Sequence, residues 1–265
     1  SGEGAVSTLN QLLNVFVYAA PLCAGYSLVY AENRVQRIIC YSSIVPVILN
    51  VLLTAAKLAL VTFVILFFVG FYTAYIYIYK SVPMVRFKTV ILGAIGMIIL
   101  FTLFYVSFVL RIGKSSDNLF NIIFQKLGVY TFGHIQGFDC WFSQSAIYIK
   151  NYSGGAKTFL AISSKLGIAD KIQGVYTLLP GTCTNVYTQY RGIIEDFGVV
   201  GGLLAALVIF GITSWLYIRI INAVKPHIAA QVIFAANIFW IIFAFVSAWT
   251  YTSYILAFII FGIYL

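Results

Sequence analysis

Charge is what this chain has least of. Only 9% of its residues are Asp, Glu, Lys or Arg, against 62% hydrophobic, with a mean hydropathy of +0.99. A soluble domain carries about a quarter charged residues and roughly 45–50% apolar ones. A water-soluble fold is therefore excluded, and the composition is that of an integral membrane protein. Alternating apolar and polar segments are missing as well: runs such as Thr89 to Leu110 are apolar on every face. That excludes a β-barrel and leaves helices, each needing ~20 apolar residues to cross ~30 Å of hydrocarbon. Histidine is down to two residues, His134 and His227, on opposite sides of the predicted membrane, and no CxxC or HxxxH spacing occurs. No metal site is expected from such a set. A GxSxG elbow and a P-loop are also absent, and Gly198 to Gly202 opens an apolar helix rather than following a strand, which argues against nucleotide chemistry. The net charge of +9 comes from Lys and Arg scattered between apolar runs rather than gathered on one face. Topology explains them, not nucleic acid.

What is present is a series of apolar segments: about Asn10 to Ala31, Ile38 to Thr54, Leu58 to Tyr79, Thr89 to Leu110, Val199 to Ile220 and Ala230 to Tyr251. A further run, Thr252 to Leu265, is too short to cross alone. The expected fold is an all-α polytopic membrane protein with about six to seven transmembrane helices. Residues 1–110 form N-terminal transmembrane helices, 111–198 one large loop, and 199–265 C-terminal transmembrane helices. Pro21 and Pro46 fall inside the first two segments, where each would kink a helix. Arg34 and Arg37, then Lys80, Arg86 and Lys88, then Arg219 and Lys225 mark one side as cytoplasmic, while the opposite short turn holds only Lys57. The large loop then lies outside, which in a bacterium is periplasmic. Ser1 falls outside too, no signal-peptide pattern is visible, and the chain reads as a fragment lacking upstream helices. Cys23 and Cys40 sit in or beside apolar segments, whereas Cys140 and Cys183 share the loop and are the pair able to meet an oxidising compartment as a disulfide.

Unstructured loops of that length are uncommon unless they carry function. This one holds apolar and aromatic runs (Leu119 to Phe124, Val129 to Phe132, Trp141 to Phe142, Val175 to Leu179) expected as short helices at the membrane face, with turns at Gly154-Gly155 and Pro180-Gly181. Its end, Thr184 to Gly198, is the best clue to chemistry. If Thr184 or Asn185 caps a helix there, Tyr187, Arg191 and Glu195 recur every four residues on one face, with Asp196 ~100° around the axis. A guanidinium able to bind phosphate then stands one turn from a carboxylate able to take a proton. The plain alternative is an i, i+4 salt bridge worth ~0.3–0.5 kcal/mol. Arg111 opens the loop that Arg191 nearly closes, and two guanidiniums at one face fit a pyrophosphate; alternatively Arg111 snorkels to lipid headgroups. Tyr130 to Trp141 adds His134 and Asp139 among glycines and aromatics, a setting for sugar rings, although a lone loop His also serves as a structural hydrogen-bonding residue. Lys57 marks a tight outer turn or points a cation at an anionic lipid.

With these residues in place, the chain resembles the Wzy-type oligosaccharide repeat-unit polymerases of bacterial O-antigen and capsule synthesis over roughly its whole length. The likeness rests on helices flanking one large loop, on Gly133 to Trp141, and above all on Asn185, Tyr187, Thr188, Arg191, Asp196, Phe197 and Gly198, which match the family's Asn-x-Tyr-Thr-x-x-Arg-x-x-x-x-Asp-Phe-Gly pattern. Lys57 departs from it, standing where an arginine is expected. The resemblance implies a GT-C-like glycosyltransferase of the bacterial inner membrane with no cofactor, neither nucleotide nor metal. It would join undecaprenyl-pyrophosphate-linked glycans on the periplasmic side, among membrane lipids and beside a chain-length regulator and a flippase. In that scheme Arg191, Glu195, Asp196, His134 and Asp139 are the catalytic candidates. Arg111, Tyr187, Asn185, Trp141, Tyr190 and Lys57 are the substrate-binding ones. An O-antigen ligase shares architecture and donor, and a polysaccharide flippase or other transporter is the non-enzymatic alternative.

Overall fold

The computed structural model describes residues 2–54, 58–84, scattered positions between 91 and 109, 119–144, 149, 151–170, 188–246, 249 and 251–265. Among the described residues the chain is helical, with no strand. The helices are α1 (Gly2–Leu28), α2 (Arg34–Ser42), α3 (Val45–Thr54), α4 (Leu58–Tyr79), α5 (Leu119–Gln144), α6 (Leu160–Ser163), α7 (Gln189–Ile221), α8 (Ile228–Ile242) and α9 (Thr252–Tyr264). Two of them, α4 and α7, are long and apolar enough to cross a membrane. The described positions between 91 and 109 are helical as well.

α1 and α4 run side by side in the same direction. Val17 clusters with Leu60 and Phe63, while Gly25 lies against the Phe67 backbone. The approach is close enough that a Cβ on Gly25 would collide with the Phe67 carbonyl, and one on Gly70 with the Leu22 carbonyl. Small residues let backbones meet in this way where an apolar solvent provides no hydrophobic drive and van der Waals contact must hold helices together. Between them α2 and α3 retrace α4 in the opposite sense: Tyr41 stacks on Phe67 at 6.1 Å, and Val47 and Val51 join Ala59, Leu60 and Phe63. The predicted segment Ile38 to Thr54 is thus two helices. The break falls where Pro46 would press on the carbonyl of Ser42, the last residue of α2, and can donate no N–H. α2 begins with a capping box, the Asn33 side chain accepting the Gln36 N–H at 2.9 Å.

α7 runs parallel to α4, α8 returns, and α9 reverses again. Ala230 and Phe234 at the start of α8 cluster with Leu216 and Ile220 at the end of α7, whereas Phe239 and Phe243 reach the cluster holding Ile193. α9 lies along α1, with Tyr254 edge-on to Tyr18 at 4.8 Å and the Tyr264 hydroxyl 2.6 Å from Ser27 Oγ. The fully buried rings of Phe239, Phe243, Tyr254 and Phe261 fill the centre. The molecule therefore has two ends, one where α7 starts at Gln189 and one where α4 stops beside Lys80. At the second, Lys80 Nζ donates to the carbonyls of Ile220 (3.2 Å) and Ala223 (2.8 Å) and lies over the Tyr77 ring. One cation of the positive group is thus a cap for the end of α7.

Three expectations are corrected. The sixth segment stops at Ile242, because the chain turns through Phe243 to Val246 instead of continuing to Tyr251. The separate short runs of the loop's first half are one helix, α5, whose length is uninterrupted by proline. Cys140 within it is a free thiol, so it forms no disulfide with Cys183, which lies outside the described residues. The turn at Gly154-Gly155 is present, with positive φ at both; Pro180-Gly181 and Val175 to Leu179 lie outside the described residues.

Candidate functional site

α7 starts at Gln189, with Thr188 in an extended conformation as its N-cap, later than the expected start at Thr184 or Asn185. The Thr188 hydroxyl makes no capping bond. The Gln189 N–H donates instead to the Ala244 carbonyl at 3.0 Å, which ties the helix start to the turn after α8. One turn on, Arg191 Nε donates to Glu195 Oε1 at 2.8 Å, the expected i, i+4 pair. The Arg191 guanidinium also lies over the buried Trp141 ring of α5, 5.2 Å from its centroid. Such a cation–π contact is worth about 0.5–2 kcal/mol, more as water is excluded. Phe138 packs 5.7 Å from Trp141 on the same helix, and two turns before Trp141 the His134 ring lies 6.1 Å from Phe245. α5, the start of α7 and the turn after α8 thus converge on Arg191, Glu195, Trp141 and His134.

Asp196 faces elsewhere. It is 1% exposed, and both carboxylate oxygens are engaged by the segment before α6: Oδ1 accepts from Ser153 Oγ (2.6 Å) and the Lys157 N–H (2.9 Å), Oδ2 from the Thr158 N–H (2.6 Å). The backbone adds two more ties. Gly198 sits at φ 72°, ψ 177°, which breaks the helical path inside α7. The carbonyls of Glu195 and Asp196, which a continuous helix would direct at the N–H groups four residues on, accept from Ser153 (3.4 Å) and Gly154 (3.1 Å). A Cβ at position 198 would lie 2.9 Å from the Tyr152 hydroxyl, so glycine is required both by its φ and by its neighbour. The Asp-Phe-Gly run is therefore a staple that fixes residues 152–158 onto α7, and its carboxylate is a structural acceptor.

Of the other candidates, Asp139 and Tyr190 are exposed on α5 and α7. Arg111, Asn185, Tyr187 and Lys57 lie outside the described residues. Among the described residues no three His, Cys, Asp or Glu side chains gather as metal ligands.

Sequence reasoning missed a second feature. Among the described residues, His134 Nδ1, Thr158 Oγ1, Thr188 Oγ1 and both amide atoms of Gln189 are buried without a hydrogen-bond partner. Each such atom costs about 1–3 kcal/mol when left unmet. Burial also pulls the His134 pKa below its ordinary value, which favours a neutral ring. No pattern marks Gln189 in the sequence except its place two residues before Arg191.

Among the described residues, geometry and composition define an all-helical protein with two helices of membrane-crossing length and a basic, aromatic cluster at the start of one of them. Comparison with known proteins adds no relative: no family model, curated protein or solved structure gives a significant match.

Proposed function

We propose that the protein is a polytopic glycosyltransferase of the bacterial inner membrane, GT-C-like in plan, that polymerises undecaprenyl-pyrophosphate-linked repeat units on the periplasmic face. The observation that carries this reading is the Arg191, Glu195 and Trp141 cluster at the start of a membrane-length helix. A fixed guanidinium stabilises the negative charge that grows on a diphosphate as the glycosidic bond breaks. Glu195, one turn away, takes the proton of the acceptor hydroxyl. Trp141 holds the guanidinium flat and gives sugar C–H faces an aromatic wall. Asp196 serves the fold rather than the proton transfer, since three donors already occupy it. His134, neutral and half-buried, is a weaker candidate for the base than Glu195.

The experiment is replacement of Arg191 by Ala in cells that make the polymer, with expression checked by immunoblot. Polymer ladders should disappear while single repeat units remain on the lipid; normal ladders would remove the assignment. Purified protein given lipid-linked repeat unit without lipid A separates a polymerase, which builds a ladder, from a ligase, which does not.

A further inference from the structure

We infer that the start of α7 carries a subsite for a vicinal hydroxyl pair on the sugar attached to the diphosphate, with the Gln189 carboxamide as its recognising group. This rests on the diphosphate reading above and adds a specificity-determining residue to it. Gln189 is 2% exposed, and neither its amide nitrogen nor its amide oxygen has a hydrogen-bond partner among the described residues. It stands at the first position of a long helix, where side chains lean toward the helix start. Two further polar atoms without partners accompany it. Thr188 Oγ1 is the adjacent residue's, and His134 Nδ1 belongs to the ring against Phe245, the neighbour of the Ala244 that takes the Gln189 N–H.

The chemistry of these groups selects the ligand. Amide, hydroxyl and imidazole are neutral here, so this part of the site suits a neutral polar group and leaves the anion to Arg191, two residues along. A carboxamide presents one donor and one acceptor side by side in a plane. Two hydroxyls on adjacent ring carbons match it, one donating to Oε1 and the other accepting from Nε2. Thr188 and His134 offer bonds to a further hydroxyl, and Phe245 and Trp141 supply apolar walls for the ring. A group with only a donor or only an acceptor would leave half of the buried amide unmet.

The test uses the full chain in nanodiscs and measures binding of farnesyl diphosphate, of farnesyl-diphosphate-linked glucose, galactose, mannose and N-acetylglucosamine, and of the O-methylated form of the tightest binder. At least one sugar should bind roughly 10-fold or more tighter than farnesyl diphosphate, and O-methylation should remove the gain. Gln189→Leu, near in volume, should lose the same gain while binding farnesyl diphosphate as the unmodified protein does; Arg191→Ala should weaken every ligand together. If all sugars bind no tighter than farnesyl diphosphate, or the O-methylated sugar keeps the gain, the subsite is refuted and the diphosphate reading stands. A Gln189→Leu protein that keeps the gain also overturns it. Absence of binding by any diphosphate, farnesyl diphosphate included, sinks both. The O-methyl comparison needs no variant, so the inference stays testable if Gln189→Leu fails to fold.

Discussion

The two ends of α7 treat polar groups in opposite ways. At the Lys80 end they are paired off: the ammonium caps the last turn of α7, the Tyr26 hydroxyl donates to Gln231 Oε1 at 2.7 Å, Ser27 meets Tyr264, and Asn33 with Gln36 closes the start of α2. At the Gln189 end a buried carboxamide, a threonine hydroxyl and an imidazole nitrogen have no partner among the described residues, beside an arginine held on an indole. The difference separates a finished junction from a receptive one. Polar groups at the first end hold helices together, and those at the second keep hydrogen-bonding capacity for something that is not part of the chain.

Substitutions at the two ends should therefore differ in kind. The largest effect belongs to Arg191→Ala, which should lower polymerisation by about two to three orders of magnitude, as loss of one charge-stabilising donor does, while loss of the indole contact lowers stability by about 0.5–2 kcal/mol; a turnover assay beside a melting curve separates the two. Next comes Asp196→Ala. Losing a buried acceptor of three hydrogen bonds should cost about 2–4 kcal/mol and expose residues 151–158 to protease, read by denaturation and limited proteolysis. If this variant melts normally yet is inactive, Asp196 returns as a candidate base. Gly198→Ala should cost about 1–3 kcal/mol from its backbone conformation alone, plus the clash with Tyr152. Because the Cβ would meet ring carbons of Tyr152 as well as its hydroxyl, adding Tyr152→Ala should recover the steric part and leave the rest, which a double-mutant cycle measures. At the opposite end Lys80→Met should cost only about 0.3–1 kcal/mol and leave turnover unchanged. The smallest effect is that of pH. Because burial lowers the His134 pKa, its favourable contribution is complete above the ordinary histidine value of 6.5 and shrinks as pH falls below it. Melting temperature should drop on acidification through that range, and less so in His134→Phe.

Much of the site was legible as local pattern. The Arg191 and Glu195 pair follows from helical spacing, and the break near Pro46 from the chemistry of proline. Asp196 shows where that reasoning stops. Its position ~100° from the Arg191 face separates it from the pair but cannot say what lies there, because its partners are some forty residues earlier in the chain. Gly198 stood out only as the end of the Asp-Phe-Gly run, while its physical reason, a Tyr152 side chain beside a helix break, is a tertiary fact. Gln189 could not be found at all: an uncharged amide beside a helix start looks like an ordinary surface residue, and its burial is a tertiary fact. α5 was misjudged for a related reason. Its apolar and aromatic runs are expected as separate short helices, yet one helix runs through Gly128, Gly133 and Gly137 and tolerates the roughly 1 kcal/mol that each costs.

The glycine contact between α1 and α4 has a consequence for traffic through the bilayer. With backbone pressed on backbone at Gly25 and Gly70, that seam leaves no slot for an acyl tail. Under the function we propose, a polyprenyl carrier would have to reach Arg191 along the other flank, where Val200, Leu203, Leu207 and Ile218 line the outside of α7 as a greasy rail.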